Sequence, residues 1–276
     1  MSAALPPALP RPLGRRRRRR ESGPVAAVFR VILFLVYGVP VLWIVLTSLK
    51  SPGDVLSSNA LFFFKPTLDA YTTALGNGDL LTAGMQSLTI AAGTTVLTLA
   101  LAVPAGYGLA RVRGPVPTIA LGLLIVLQMM PQTATVIPLF QIFGSWGLLD
   151  NRIAVILADT ALLVPFAVLL MRPFFRNVPE ALEESAAIDG ASSLRTFLSV
   201  VLPVARNGMA TTATLVFLLS WGEFLYAINF LLSPGSYPLS ALLAQQVSAF
   251  GINWPGLMAL AVITSVPILV LFVFTY

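Results

Sequence analysis

The sequence contains no cysteine and no histidine among its 276 residues. Without cysteine there is no disulfide framework and no thiolate nucleophile. Without histidine, Ser-His and Cys-His catalysis are excluded together with the HExxH zinc motif. Charge is scarce as well: charged residues make up 10% of the chain, against about 25% in soluble globular proteins. There is no GxxxxGK[ST] phosphate loop, so the chain is not expected to hydrolyse nucleotides itself. No inverted internal repeat of the kind found in secondary transporters is seen.

Apolar residues are abundant instead. Hydrophobic residues account for 57% of the sequence, and the mean hydropathy is +0.87. They fall in runs long enough to cross a bilayer, since about twenty helical residues span a hydrocarbon core of roughly 30 Å. Six spans are predicted, at about Val28–Leu46, Gln86–Ala110, Val116–Phe140, Ile153–Met171, Met209–Leu232 and Leu257–Tyr276. The third is interrupted by Pro131 and Pro138, which are expected to end it early. The fold class is therefore an all-α integral membrane protein with six transmembrane helices in a domain over 28–276.

The net charge of +6 lies largely in the six arginines Arg15–Arg20. Such a block repels itself, so residues 1–27 are expected to be a disordered tail. An apolar run begins at Val25, which places that tail beside anionic lipid headgroups rather than on nucleic acid, and no nucleic-acid partner is expected. A cleaved signal is not expected, because the following apolar stretch is full length and no A-x-A site follows it. Basic residues set the orientation. With the N-terminus inside, 14 of the 17 basic residues lie on the inner side, and only Lys50, Lys65 and Arg152 lie outside. The expected location is a multi-pass protein of the cytoplasmic membrane with a cytoplasmic N-terminus.

The longest polar interruption runs from Pro179 to Pro203, within a loop of about 173–207. Pro179 suits the first position of a helix, and Glu180, Glu183 and Glu184 favour its first turns. Ala181, Ser185, Ala186 and Ala187 keep the helix slim. Gly190 sits where a left-handed residue ends it at little steric cost, with Asp189 and Ala191 flanking the turn. Ser192 or Ser193 then caps a second short helix, which the residue before Pro203 is expected to end.

This stretch resembles the EAA loop of binding-protein-dependent ABC importer permeases, whose pattern is E-A-A, three residues, G, nine residues, I-x-L-P. Here it reads Glu184-Ser185-Ala186, Gly190 and Val200-Val201-Leu202-Pro203, with all spacings kept and two departures, Ser185 and Val200. Further along, Ser220-Trp221-Gly222-Glu223-Phe224 resembles a segment of the fifth helix in the sugar-importing, maltose-type class, with Gly222 where asparagine is common. Thr47-Ser48-Leu49-Lys50, Pro138-Leu139-Phe140 and Tyr237-Pro238-Leu239 are similar to that class too. In that family a short basic tail commonly follows the sixth helix, whereas this sequence stops at Tyr276.

The resemblance implies a type I importer permease in which the loop is the cytoplasmic coupling element. It implies a second permease, two ATPase subunits that bind ATP and Mg, an external solute-binding protein and a carbohydrate cargo. No cofactor or metal is expected in this chain. Two acids lie inside the spans: Glu223, about 13 Å from the outer end of its helix, and Asp159, about 10 Å from its own. A charge at the bilayer centre costs about 2.5–3.5 kcal/mol even on insertion scales, so such groups face a cavity or a partner. Gln132, Trp221, Glu223 and Asn229 supply the amide, carboxylate and aromatic groups that bind sugars, and with Asp159 they are the candidate pathway residues. Each also has a plain reading as a helix-packing group. Glycerophosphodiester and polyamine importers are alternatives, as is an ion-coupled carrier, which lacks support because Glu223 has no obvious cationic partner. An intramembrane two-aspartate enzyme is the remaining rival.

Overall fold

A computed structural model describes residues 24–55, 57, 64–76, 78–248 and 251–275. The arginine-rich tail up to Gly23 and the terminal Tyr276 lie outside the described residues. The chain divides into two compact units, 1–43 and 44–276. The first contains most of helix α1 (Pro24–Ser48), which is apolar from Ala26 onward, carries Pro40 and has one charge, Arg30.

In the second unit, short helices α2 (Pro52–Val55) and α3 (Asp69–Gly76) precede the long α4 (Asp79–Arg111). Next come α5 (Val116–Gln128), α6 (Gln132–Ser145) and α7 (Arg152–Arg176). A polar segment forms α8 (Glu180–Ile188) and α9 (Ser193–Thr196), leading into α10 (Leu202–Trp221). The chain closes with α11 (Leu225–Phe230), α12 (Leu239–Ala244), a two-stranded antiparallel hairpin of β1 (Val247–Ser248) and β2 (Gly251–Ile252), and α13 (Trp254–Thr275).

Among the described residues, five single helical stretches are long and apolar enough to cross a membrane, and α5 with α6 passes the same test as a pair. That pair is bent by 88°, so the span expected over Val116–Phe140 is not one helix. Pro131 has extended backbone (φ −67°, ψ 131°) and no N–H to continue the ladder. Pro138, by contrast, ends nothing and lies inside α6.

The fifth span also differs from expectation. Its helix starts at Ser193, far ahead of Met209, and stops at Trp221 instead of reaching Leu232. Pro203 does not break it. A π-helical turn over Phe197–Val201 precedes the proline, and such a widened turn absorbs the missing N–H and the ring without ending the helix. At the other end Gly222 and Phe224 leave the helical ladder before α11 begins.

Helices α4, α7 and α10 form the core. Water is absent around membrane helices, so they associate through close packing, which favours small residues. On α7, Ala154, Ala158 and Ala167 are buried, and on α4, Ala91, Ala102 and Gly106. The crossing of α7 and α10 is tightest at Gly208, where an added Cβ would lie 2.3 Å from Cγ of Phe174. Large apolar side chains such as Leu88, Val96 and Leu219 remain exposed on the outer faces, as expected of surfaces that meet lipid.

At the end of the unit remote from α8, Asp150 adopts φ 59°, rare for a non-glycine residue. Its N–H donates to the carbonyl of Phe230 (2.7 Å), while its carboxylate accepts from the amides of Leu232 and Ser233 (both 2.9 Å) and from the Ser233 hydroxyl. These bonds fasten the α6–α7 loop to the chain leaving α11. They favour the ionised form and hold the Asp150 carboxyl down at about 2, chiefly through the Ser233 hydroxyl.

Two predictions follow from these contacts. Gly208→Val should destabilise the purified protein by about 1–3 kcal/mol, as overpacking does, and Phe174→Leu in the same chain should recover most of the lost melting temperature. Because the folded pKa of Asp150 is depressed, its latch is fully present above the ordinary carboxylate value near 3.8 and is lost as pH falls toward about 2. The melting temperature of Asp150→Asn should therefore lie below wild type at pH 7, and the gap should close as pH is lowered through that window.

Candidate functional site

The segment from Pro179 to Pro203 holds α8, which has no buried residue, then α9 and the π-turn that leads into α10. Pro179 takes the position before the first helical residue, and Glu180 and Glu183 fill the first turn. The stop is a Schellman motif: Ala191 N–H donates to the Ala186 carbonyl (2.9 Å), and Gly190 N–H donates to that of Ala187 (3.0 Å). Gly190 has φ +80°, the left-handed conformation this turn requires. Ser192, rather than Ser193, caps α9, its hydroxyl accepting from Arg195 N–H at 3.4 Å. Ser185 bonds back to the Ala181 carbonyl (2.8 Å), so its hydroxyl is spent within the helix.

The three glutamates of α8 do three different things. Glu183 points back at α4, where it pairs with Arg111 and accepts the Tyr107 hydroxyl (2.6 Å). Arg111 reaches further, donating to the carbonyls of Phe175 (3.0 Å) and Val178 (2.9 Å). Both charged side chains are only 17% exposed. Tyr107 lies against Phe175 and Phe197, so the ion pair is roofed by aromatic rings. Glu180 pairs with Arg113 at 2.8 Å, but on the exposed surface. Glu184 and Asp189 are exposed and form no ion pair among the described residues, and Ile188 beside them is 87% exposed. The helix thus has one face strapped to α4 and a tip presenting an apolar and two acidic side chains. Tyr107 and Arg111 were not singled out from sequence; their i, i+4 spacing at the end of a span is the signal that marks them.

The membrane-interior candidates fall into two groups. Glu223 lies in the break between α10 and α11, not in the helix expected there, and is 7% exposed. Its carboxylate accepts the amides of Tyr226 (2.6 Å) and Ala227 (2.9 Å), capping α11, and also Gln132 Nε2 (3.2 Å) across the chain. Its carbonyl accepts the Ser240 hydroxyl. Close by, Thr135 and Tyr226 share a hydroxyl–hydroxyl bond of 2.7 Å, beside a mostly apolar cavity of about 360 Å³ that both residues line. Asn229 donates to the Leu225 carbonyl one turn back (2.7 Å). Trp221 is turned away from this group: its indole stacks on Phe217 and its Nε1 donates to the Thr264 carbonyl (3.2 Å) on α13.

Asp159 stands apart from those bonds at the junction of α4, α7 and α10. It is 2% exposed and lies beside Thr94 and Ser220. Its Oδ2 and the hydroxyls of Thr94, Thr98, Thr160 and Ser220 are buried and make no hydrogen bond among the described residues. No group of three acids that could hold a metal ion occurs among the described residues.

The strap yields a quantitative expectation. A double-mutant cycle between Glu183→Ala and Arg111→Ala, read by denaturation of the purified protein, should give a coupling on the order of 2–3 kcal/mol, since removing one partner of a buried pair is costly. The same cycle on Glu180 and Arg113 should give less than about 1 kcal/mol.

Comparison with known proteins assigns this arrangement. The family model described as "Binding-protein-dependent transport system inner membrane component" matches residues 102–276. The sulfoquinovosyl glycerol transport system permease protein of Agrobacterium fabrum is 32% identical, over 87% of this chain and 85% of its own length. The trehalose transport system permease protein of Mycobacterium tuberculosis is 31% identical, over 89% and 91%. Among solved structures, a chain of a bacterial ABC transporter involved in the import of the acidic polysaccharide alginate shares the fold, with a TM-score of 0.76 and 22% identity, over 91% of this chain and 93% of that one. The break at Glu223 and the strapped α8 both lie within the matched residues, and the chain belongs to the family of binding-protein-dependent transport system inner membrane components, the permeases of ABC importers.

Proposed function

We propose that this chain is one of two permease subunits of an ATP-driven importer for a carbohydrate, and that α8 is the element through which the ATPases act. The observation that carries this reading is the two-faced α8. Its inner face is tied to α4 by the buried Glu183–Arg111 pair, and its tip offers exposed Ile188, Glu184 and Asp189. A helix held this way moves with the span it is tied to when a partner seizes its tip. The residues for coupling are Glu180, Glu183, Glu184, Ser185, Ala186, Asp189, Gly190, Ala191 and Pro203, with Glu183 acting inward and Glu184 and Asp189 outward.

The remaining parts follow from the charge distribution and the relatives. The N-terminus, the arginine-rich segment 1–27 and α8 belong to the cytoplasmic side of the inner membrane, in line with the bias of basic residues. ATP and Mg belong to two ATPase subunits, and no cofactor belongs to this chain. A solute-binding protein delivers the cargo from outside. Carbohydrate is favoured as cargo because relatives are named for trehalose, diacetylchitobiose and sulfoquinovosyl glycerol. In the pathway, Gln132, Asn229 and Asp159 are the candidate cargo contacts, while Glu223 and Trp221 shape the wall.

The test is reconstitution of the complete importer, with the second permease, ATPases and binding protein, in lipid vesicles. ATP should drive uptake of a radiolabelled neutral disaccharide, and Gly190→Val should leave membrane insertion intact while weakening ATPase capture or uncoupling hydrolysis from uptake. The variant must place a β-branched residue at positive φ, which costs at least about 1–2 kcal/mol. A single cysteine at Ser192 should react only from the side that carries the ATPases. Labelling from the opposite side, or full coupling in Gly190→Val, would refute the reading.

A further inference from the structure

A second polar site lies at the opposite end of α4 from the strap. It is a pocket of about 380 Å³ lined by Lys50, Asp69, Asp79, Gln245, Gln246 and Asn253. That volume falls in the range of about 300–1,000 Å³ typical of small-molecule sites. We propose that this pocket is a binding subsite for a neutral polyhydroxylated solute, one saccharide ring at a time, on the outer side of the permease. The proposal rests on the carbohydrate-importer reading and gives that importer a contact for its cargo on the permease itself, after delivery by the binding protein.

The chemistry of the wall selects the ligand class. Two carboxylates and one ammonium make the pocket unwelcoming to anions, and the Lys50 ammonium opposes a divalent cation. Carboxylates accept hydroxyl protons, while three amides both donate and accept, the mixed pattern that vicinal hydroxyls require. Pro52, Pro255 and Leu260 supply apolar surface for the C–H face of a ring.

The site is also pre-formed. Asn253 Nδ2 donates to Gln246 Oε1 (3.0 Å), its Oδ1 accepts from Gly256 N–H (3.2 Å), and its N–H donates to the Gln246 carbonyl (3.0 Å). With its oxygen so engaged, Gln246 has its NH₂ group to offer. The facing wall is tied down as well, since Thr67 N–H donates to the Leu49 carbonyl (2.9 Å) and the Ser48 and Tyr71 hydroxyls bond at 2.7 Å. Fixed groups lose less freedom when a ligand binds.

The absence of cysteine from these 276 residues makes the test direct, because a single introduced thiol has no native thiol beside it in the sequence. Thr73→Cys lines the pocket on exposed α3, and Ser145→Cys, at the end of α6, serves as the control. Each is reacted with a membrane-impermeant maleimide in the reconstituted complex during titration with trehalose, maltose or diacetylchitobiose. At least one sugar should slow labelling of Thr73→Cys roughly tenfold at about ten times its Kd, without slowing Ser145→Cys, and adding Asp69→Asn should weaken that protection several-fold. No protection by any of the three, or equal protection by spermidine or inorganic phosphate, overturns the pocket. Uptake measured in the same vesicles separates the two claims. Sugar uptake without protection refutes the subsite alone, whereas spermidine uptake with no sugar uptake refutes the carbohydrate reading beneath it.

Discussion

A helix that breaks inside hydrocarbon has no water to satisfy its freed amides and carbonyls, so every break must be closed by the protein itself. Among the described residues, two such breaks fall after Gln128 and after Trp221, and each is answered by the other. Gln132, just beyond the first, donates to Glu223, just within the second, and Glu223 accepts the first free amides of α11. Thr135 and Tyr226 repeat the connection one turn on. Tyr226, Ala227 and Phe230 can then pack with Ala154, Val155 and Ala158 of α7 in one apolar cluster. Polar closure and core packing are thus a single arrangement, and the carboxyl oxygens of Glu223 are committed to holding it.

Elsewhere the helices are held by proximity. Between lipid-embedded surfaces the hydrophobic effect offers little, so stability depends on how closely backbones approach. The buried alanines of α7, Gly106 against Met171 and Gly208 against Phe174 set those distances. Where the chain leaves the membrane interior, charge takes over, and magnitude separates its uses. The Glu183–Arg111 pair gathers four hydrogen bonds and a cation–π contact around one guanidinium, whereas Glu180–Arg113 sits in solvent and contributes little.

Much of this was legible locally. The end of α8 could be read from one glycine, because a Schellman stop involves only residues within six positions of one another. The first, second, fourth and sixth spans could be read from length and apolarity alone. What could not be read depends on distant partners. Glu183 and Glu184 are chemically identical neighbours, and only Arg111, 72 positions away, tells which faces inward. Trp221 and Glu223 looked like one pathway motif, yet these positions two apart point to different sides, one to Thr264 and the other to Gln132. The stop at Gly222 carries no proline signal, and Pro203, which does carry one, stops nothing because the π-turn before it takes up the strain.

That π-turn has a consequence of its own. A π-turn is one residue more than a regular helix needs, and each residue turns an α-helix by about 100°. The stretch from Ser193 to Trp221 is therefore a single rod with a built-in phase offset: the side-chain faces before Phe197 and after Val201 are out of register by that angle. Val201, Ala205, Gly208 and Thr212 can line the buried side of α10 while Leu194 and Leu198 look outward from the same continuous backbone. The extra residue is thus a gear tooth between the two halves. Its loss or gain would rotate the α9 end against the α10 end without altering a single side chain.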